Sequence, residues 1–212
     1  MKTIMHQPRV LVWLGALLVA TVTLPATTVA SNGLVTKIIT YENGDRYHGQ
    51  TRTGKRHGRG VYTWPDGVRY EGGFADGRRT GHGVYTWPSG ARYEGDTVDG
   101  ARTGRGVYTW PDGVRYEGDF ADGKRTGYGV YTWPSGARYE GDTVDGARTG
   151  RGVYTWPDGA RYEGGFRDGH LHGPGRYTDA DGSVKEGEWL NGELVAARSQ
   201  STSMTATRQP AE

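Results

Sequence analysis

The side chains in this sequence that could carry chemistry are few in kind and evenly spread. Beyond residue 30 the histidines are His48, His57, His82, His170 and His172. His170-Leu171-His172 offers two imidazoles but no third metal ligand beside them. The recurring Asp-Gly pairs lack the acid spacing of a calcium loop, and turn formation accounts for them. No Gly-x-Ser-x-Gly elbow or Ser-His-Asp order stands out. With Cys 0 there is no thiol nucleophile, disulfide or thiolate metal site. Stretches such as GRG and GHG lead into no helix, so they are not phosphate loops. The sequence therefore predicts no catalytic residue, no metal and no cofactor. What remains is tyrosine and tryptophan, whose rings and polar tips suit sugar or protein surfaces. The candidate binding face is Tyr70, Phe74, Tyr85, Trp87, Tyr93, Tyr108, Trp110, Tyr116, Phe120, Tyr131, Trp133, Tyr139, Tyr154 and Trp156. The same rings could equally be the core of a single-layer sheet.

Those aromatics are placed by a repeat. Tyr47, Tyr70, Tyr93, Tyr116, Tyr139 and Tyr162 follow one another at a constant step of 23. Six full units thus occupy residues 47–184, with a capping half-unit at 31–46 and a partial copy at 185–195. A second period overlies the first: residues 70–115 and 116–161 are identical at 42 of 46 positions, differing at Gly73/Asp119, Arg78/Lys124, His82/Tyr128 and Val114/Ala160. Near-identical copies suit a surface whose reach grows with copy number better than one active site.

Within the unit 70–92, Tyr70, Gly72 and Phe74 alternate with Glu71 and Gly73, the period of a strand. Ala75-Asp76-Gly77 is read as a three-residue hairpin loop, a type I turn closed by glycine. Gly83, Tyr85 and Trp87 form a second strand, and Pro88-Ser89-Gly90 turns the chain again. Short turns force antiparallel neighbours. The fold class is all-β, an elongated single-layer antiparallel β-meander of tandem 23-residue hairpins. Six units at ~4.8 Å per strand give a twisted ribbon roughly 55–60 Å long. Glycines leave bare backbone over which a neighbouring ring can lie, so one face is aromatic and glycine. The acids Glu71, Glu94, Glu117, Glu140 and Glu163 take the other face, within pairing distance of Arg69, Arg92, Arg115, Arg138 and Arg161.

The stretch YEGDFADGKRTGYGVYTWPSGAR resembles the MORN repeat, the membrane occupation and recognition nexus motif. Its pattern falls on Tyr116, Gly118, Phe120, Gly123, Gly127, Gly129, Tyr131 and Gly136, and residues 38–193 are covered. The resemblance implies an elongated hairpin array with roles in protein scaffolding, self-association and, in some members, phospholipid contact. Thr51, Thr97 and Thr143 depart from the strand-one aromatic, and Asp179 replaces the tryptophan of the sixth unit. Ligand sites on this face would then repeat every two units and fade toward the C-terminus.

Residues 1–30 read as a signal peptide: Lys2 and Arg9, an apolar run from Val10 to Leu24, Pro25, and small Ala30. The run is short for a span of ~20 residues, and an uncleaved signal anchor is the alternative. Either version predicts export, periplasmic or secreted, with residues 10–30 as the possible anchor. Without this leader 24 basic residues meet 24 acidic ones, so the case for a nucleic-acid partner fails. Residues 196–212 read as a disordered tail. Charge is uneven along the array: unit 47–69 carries +5 and −1, unit 162–184 carries +2 and −4. Arg52, Lys55, Arg56 and Arg59 form a candidate basic end for head-to-tail self-association. The expected function is a non-enzymatic exported scaffold binding protein partners or the cell-envelope surface. The alternative is a carbohydrate- or phospholipid-binding module using the Tyr/Trp rows.

Overall fold

The structure, a computed structural model, describes residues 33–198. The expected leader, residues 1–30, lies outside them, as does all of the expected tail after Arg198. Every strand among the described residues belongs to one 15-stranded sheet in which spatial order follows chain order. The strands are β1 (Val35–Thr40), β2 (Arg46–Arg52), β3 (Lys55–Thr63), β4 (Arg69–Ala75) and β5 (Arg78–Thr86). They continue as β6 (Arg92–Val98), β7 (Ala101–Thr109), β8 (Arg115–Ala121), β9 (Lys124–Thr132) and β10 (Arg138–Val144). The last are β11 (Ala147–Thr155), β12 (Arg161–Arg167), β13 (His170–Thr178), β14 (Val184–Leu190) and β15 (Glu193–Ala197). No helix occurs among the described residues, and all fourteen pairings are antiparallel.

The two turn types are distributed differently from the sequence expectation. After tryptophan, Pro65 and Asp66 form the centre of a turn closed by Gly67 N–H donating to Trp64 O at 2.9 Å, with Gly67 at φ +85°. This is the proline turn the sequence announces. The Asp-Gly turns, however, are two-residue loops. Ala75 pairs directly with Arg78, and both Asp76 (φ 47°) and Gly77 (φ 90°) are left-handed. Two positive φ values make a type I′ turn, whose twist matches the flanking strands. Aspartate tolerates this conformation better than most residues.

Consequently the second strand of each unit begins earlier than its period-2 pattern suggests. β5 starts at Arg78 and ends at Thr86, leaving Trp87 in the turn. The extra length is absorbed by a bulge. From the Gly72–Gly83 pair to the Phe74–Arg79 pair, β4 advances two residues while β5 advances four. The bulge returns Arg79 to the aromatic face, opposite Phe74. At the far end, β15 pairs Gly187 with Ala197, so the C-terminal partial repeat closes as a hairpin two residues past Val195.

The core lies on one face of the sheet. Tyr47, Tyr70, Tyr93, Tyr116, Tyr139 and Tyr162 are fully buried at 0% exposure, each lying flat over the glycine of the next strand. A Cβ at Gly106 would stand 2.6 Å from the Tyr93 ring, closer than real Cβ contacts come. The opposite face carries the expected ion pairs. Arg69–Glu71 (2.5 Å), Arg92–Glu94 (2.6 Å), Arg115–Glu117 (2.7 Å) and Arg161–Glu163 (2.7 Å) are joined by Arg138–Glu140. All are solvent-exposed to a large degree, so each contributes ~0–1 kcal/mol.

Candidate functional site

The fourteen aromatic residues singled out from the sequence share one face but not one depth. Tyr70, Tyr93, Tyr116 and Tyr139 are fully buried; Phe74, Phe120, Tyr85 and Tyr131 are nearly so. These eight are packing material and offer no contact area. Trp87, Trp110, Trp133, Trp156, Tyr108 and Tyr154 are half-buried and pack over the core from outside. Trp64 and Tyr177 extend this outer row at its two ends.

The outer row, bridged at Tyr85 and Tyr131 by rings of the core, forms a continuous ladder running across the strands. Trp64, Tyr85 and Trp87 stack with interplanar angles of 20°, at centroid distances of 6.4 and 5.7 Å. Trp110, Tyr131 and Trp133 repeat that stack at 6.2 and 5.8 Å. Between the stacks, Trp87 meets Tyr108 at 5.7 Å, and Tyr108 meets Trp110 edge-on at 4.6 Å. Ring orientation along the ladder thus alternates with a two-unit period. Asp179 stands where a tryptophan would follow, and past Trp156–Tyr177 the ring contacts turn inward to the buried Trp189, 6.1 Å from Tyr177.

A row of arginines, missed in the sequence, completes this face. Arg56, Arg79, Arg102, Arg125 and Arg148 recur at the same step of 23. Each lies over aromatic rings: Arg56 over Tyr62 at 4.7 Å, Arg79 over Trp64 at 4.9 Å, Arg125 over Trp110 at 4.8 Å. Where strand one of the next unit carries phenylalanine, the guanidinium also clasps that unit's turn. Arg102 Nη2 donates to Gly123 O at 2.6 Å while Gly123 N–H donates back to Arg102 O at 3.0 Å. Where threonine replaces phenylalanine, tyrosine takes over this bond: Tyr85 Oη donates to Gly100 O at 3.0 Å and Tyr131 Oη to Gly146 O at 2.8 Å. Each unit is thereby clipped to its predecessor.

This arrangement alters the expected basic end. Arg52, Lys55 and Arg59 are exposed and make no ion pair among the described residues, and Arg52 sits directly opposite Lys55. Arg56 is turned to the other face, where its Nε and Nη2 donate to Gly77 O at 3.1 and 2.6 Å. It belongs to the packing of the array rather than to a free cationic patch.

Burial also sets the tyrosine acidity. Desolvation pushes the Tyr47, Tyr116 and Tyr162 hydroxyls up to about 12, and raises Tyr93 and Tyr139 in the same direction. No group of three or more potential metal ligands clusters among the described residues. The opposite face holds shallow troughs, one of about 750 Å³ lined by Tyr128, Arg138, Arg151 and Glu163 among others. No helix of the described residues is long and apolar enough to cross a membrane.

The sequence profile of the MORN repeat matches residues 47–69, 70–92, 93–115, 116–138, 139–161 and 162–184. These are the six units delimited by the tyrosine period. Curated proteins yield no match. Among solved structures, the chain is similar to the TCP domain of Drosophila melanogaster SAS-4 in complex with a proline-rich motif of Ana2. That likeness has 14% identity, covers 78% of this chain and 90% of that one, and has a TM-score of 0.45. The TCP10c domain of Drosophila melanogaster Sas-4 alone gives 13% identity, coverage of 78% and 98%, and a TM-score of 0.41. A point variant of the Danio rerio CPAP TCP10 domain gives 18%, 77%, 99% and 0.31. At such identities and TM-scores these likenesses carry nothing about ligands.

Proposed function

We propose, from the premise that this chain belongs to the MORN-repeat family, that it is a non-enzymatic scaffold binding protein partners outside the cytoplasm. The observation that carries the reading is the division of the aromatic face by depth. The buried tyrosines hold the sheet together, while five half-buried tryptophans, Trp64 to Trp156, recur in register along the row of strand ends. A repeated, linear, partly apolar surface fits an extended partner, because aromatic anchors at fixed intervals supply most of the energy of such interfaces. Export rests on the charged start, apolar run and small-residue exit of residues 1–30.

The test places photo-crosslinking side chains at Ser89 and Ser135, exposed turn positions next to Trp87 and Trp133, in cells making the full chain. Protein adducts at both sites are expected. Adducts formed only with lipid or glycan would replace this reading with the carbohydrate- or phospholipid-binding one. A reporter active only outside the cytoplasm, fused after Asn32, is expected to be active, and silence would overturn the export part.

A further inference from the structure

The tryptophan row has a repeat distance, and that distance selects a ligand conformation. Trp64, Trp87, Trp110, Trp133 and Trp156 follow β3, β5, β7, β9 and β11, so neighbours are two strands apart. Strand spacing of ~4.7–4.9 Å puts successive tryptophans about 9.4–9.8 Å apart. A partner laid along the row must present a like side chain at that interval. An extended β-strand repeats on one face every ~6.6–6.8 Å. An α-helix returns to one face after seven residues, about 10.5 Å. A polyproline II helix has three residues per turn and ~3.1 Å per residue, hence about 9.3 Å.

Two further features agree with that conformation. The Trp189 indole N–H donates to Gly175 O at 3.1 Å, but the five ladder indoles have no hydrogen-bond partner among the described residues and are not sealed from solvent. Unpartnered donors of this kind suit a helix type whose carbonyls have no internal partner. Trp64, Trp87, Trp110 and Trp133 already carry a neighbouring aromatic or arginine on one face. That favours packing against ridges and edges over the face-on stacking a sugar ring needs. Asp66, Asp112 and Asp158 are exposed in the turns after alternate tryptophans. One carboxylate oxygen of each accepts the backbone N–H two residues on, at 3.0 Å, and none of these acids forms an ion pair among the described residues. They recur every four strands, about 19 Å, against about 18.6 Å for six polyproline II residues.

Resting on the protein-binding reading, we infer that the ladder is a rail for a polyproline II segment of the partner. The segment carries proline or another apolar residue at every third position and Lys or Arg at every sixth.

The test titrates the full chain with a peptide of about fifteen residues in that register, long enough to reach from Trp64 to Trp156. A peptide of identical composition with its prolines spaced by four, and a β-linked oligosaccharide, serve as controls. Calorimetry and tryptophan fluorescence report binding. The in-register peptide is expected to bind about tenfold or more tighter than the control peptide. Trp87→Phe with Trp110→Phe, which keeps the rings and removes two donors, is expected to weaken it by about tenfold with the unfolding midpoint nearly unchanged. Asp112→Asn is expected to weaken it by a smaller factor that vanishes at high salt. Equal binding of both peptides, no binding of either, or preference for the oligosaccharide overturns the inference. Protein adducts from crosslinkers at Ser89 and Ser135 that the in-register peptide does not displace would sink the rail while leaving the protein-binding reading in place.

Discussion

Replacing Gly106 by alanine tests the packing of tyrosine on glycine that holds this sheet together. The new Cβ would stand 2.6 Å from Tyr93 Cε2 and 2.8 Å from its Oη, about 1 Å short of an ordinary contact. The ring cannot easily retreat. Its hydroxyl donates to Asp96 O at 2.8 Å, its edge meets Phe120 at 5.0 Å, and Arg102 lies 5.6 Å over it. Overpacking of this kind costs about 1–3 kcal/mol. Removing a strand glycine returns about 0.5–1 kcal/mol through lost backbone freedom of the unfolded chain. The net expectation is a loss of about 1–2 kcal/mol, read from urea unfolding followed by far-UV circular dichroism. An unchanged m-value would show that the array still unfolds as one unit. The decisive comparison is a double-mutant cycle with Tyr93→Leu, which removes the ring from above position 106. In that background Gly106→Ala is expected to be neutral or slightly stabilising. A penalty of the same size with and without the Tyr93 ring would refute the stacking argument, as would stabilisation by the single substitution.

Three other outcomes follow from particular residues. The buried hydroxyls of Tyr47, Tyr116 and Tyr162 hold their protons to about pH 12, while the unfolded chain releases its own near pH 10. Stability is therefore complete below pH 10 and falls between 10 and 12 by up to ~1.4 kcal/mol per pH unit per tyrosine; phenolate formation at these three hydroxyls already at pH 10, followed residue by residue by NMR, would contradict this. Thr53 holds the left-handed turn position (φ 47°) that aspartate or asparagine holds in every later unit. Thr53→Asp is expected to stabilise the β2–β3 hairpin by about 1 kcal/mol, visible as slower amide exchange there, and a loss of protection would count against it. Exposed Arg52, Lys55 and Arg59 near one open sheet edge, with acidic residues toward the other, predict head-to-tail association that weakens with salt in light scattering. Arg52→Glu with Lys55→Glu should abolish it, and a monodisperse monomer at low salt and high concentration would exclude it.

The sequence was most readable where one residue type meets one demand at a fixed period. The tyrosine step, the glycines beneath the rings, the proline turns and the Arg–Glu pairs on the far face all follow from alternation and turn chemistry. Two features were hidden, each because one residue type serves two demands. Asp-Gly serves equally in a type I′ turn and in a type I turn closed by glycine, so the loop length depends on where the next strand resumes. That strand opens with Arg78-Arg79-Thr80, polar on both faces, and the bulge past Gly81 breaks the register with its partner. Arginine reads as solvent-facing, whereas Arg79 is a flat cation stacked on indole. The available signal was its invariance: position 56 and its equivalents stay arginine through five units while the preceding residue changes from Lys55 to Arg78, Ala101, Lys124 and Ala147.

A sheet with no second layer must build its core and its contact surface from the same face, and depth is the only way to separate them. Tyrosine suits the lower level because its ring covers two bare glycines while its hydroxyl reaches a carbonyl at the strand bend, as in Tyr93 Oη to Asp96 O. Tryptophan suits the upper level because it spans from the tyrosines to solvent and keeps a donor free. Arginine ties the levels, one side on the rings and its tip on the next turn. Damage to the lower level should therefore appear as lost stability, and damage to the tryptophan donors as lost binding with the fold intact. Gly106→Ala and Trp87→Phe sit on opposite sides of that division. If both substitutions changed stability by similar amounts, core and contact surface would be one structure, and the half-buried tryptophans would be packing rather than anchors.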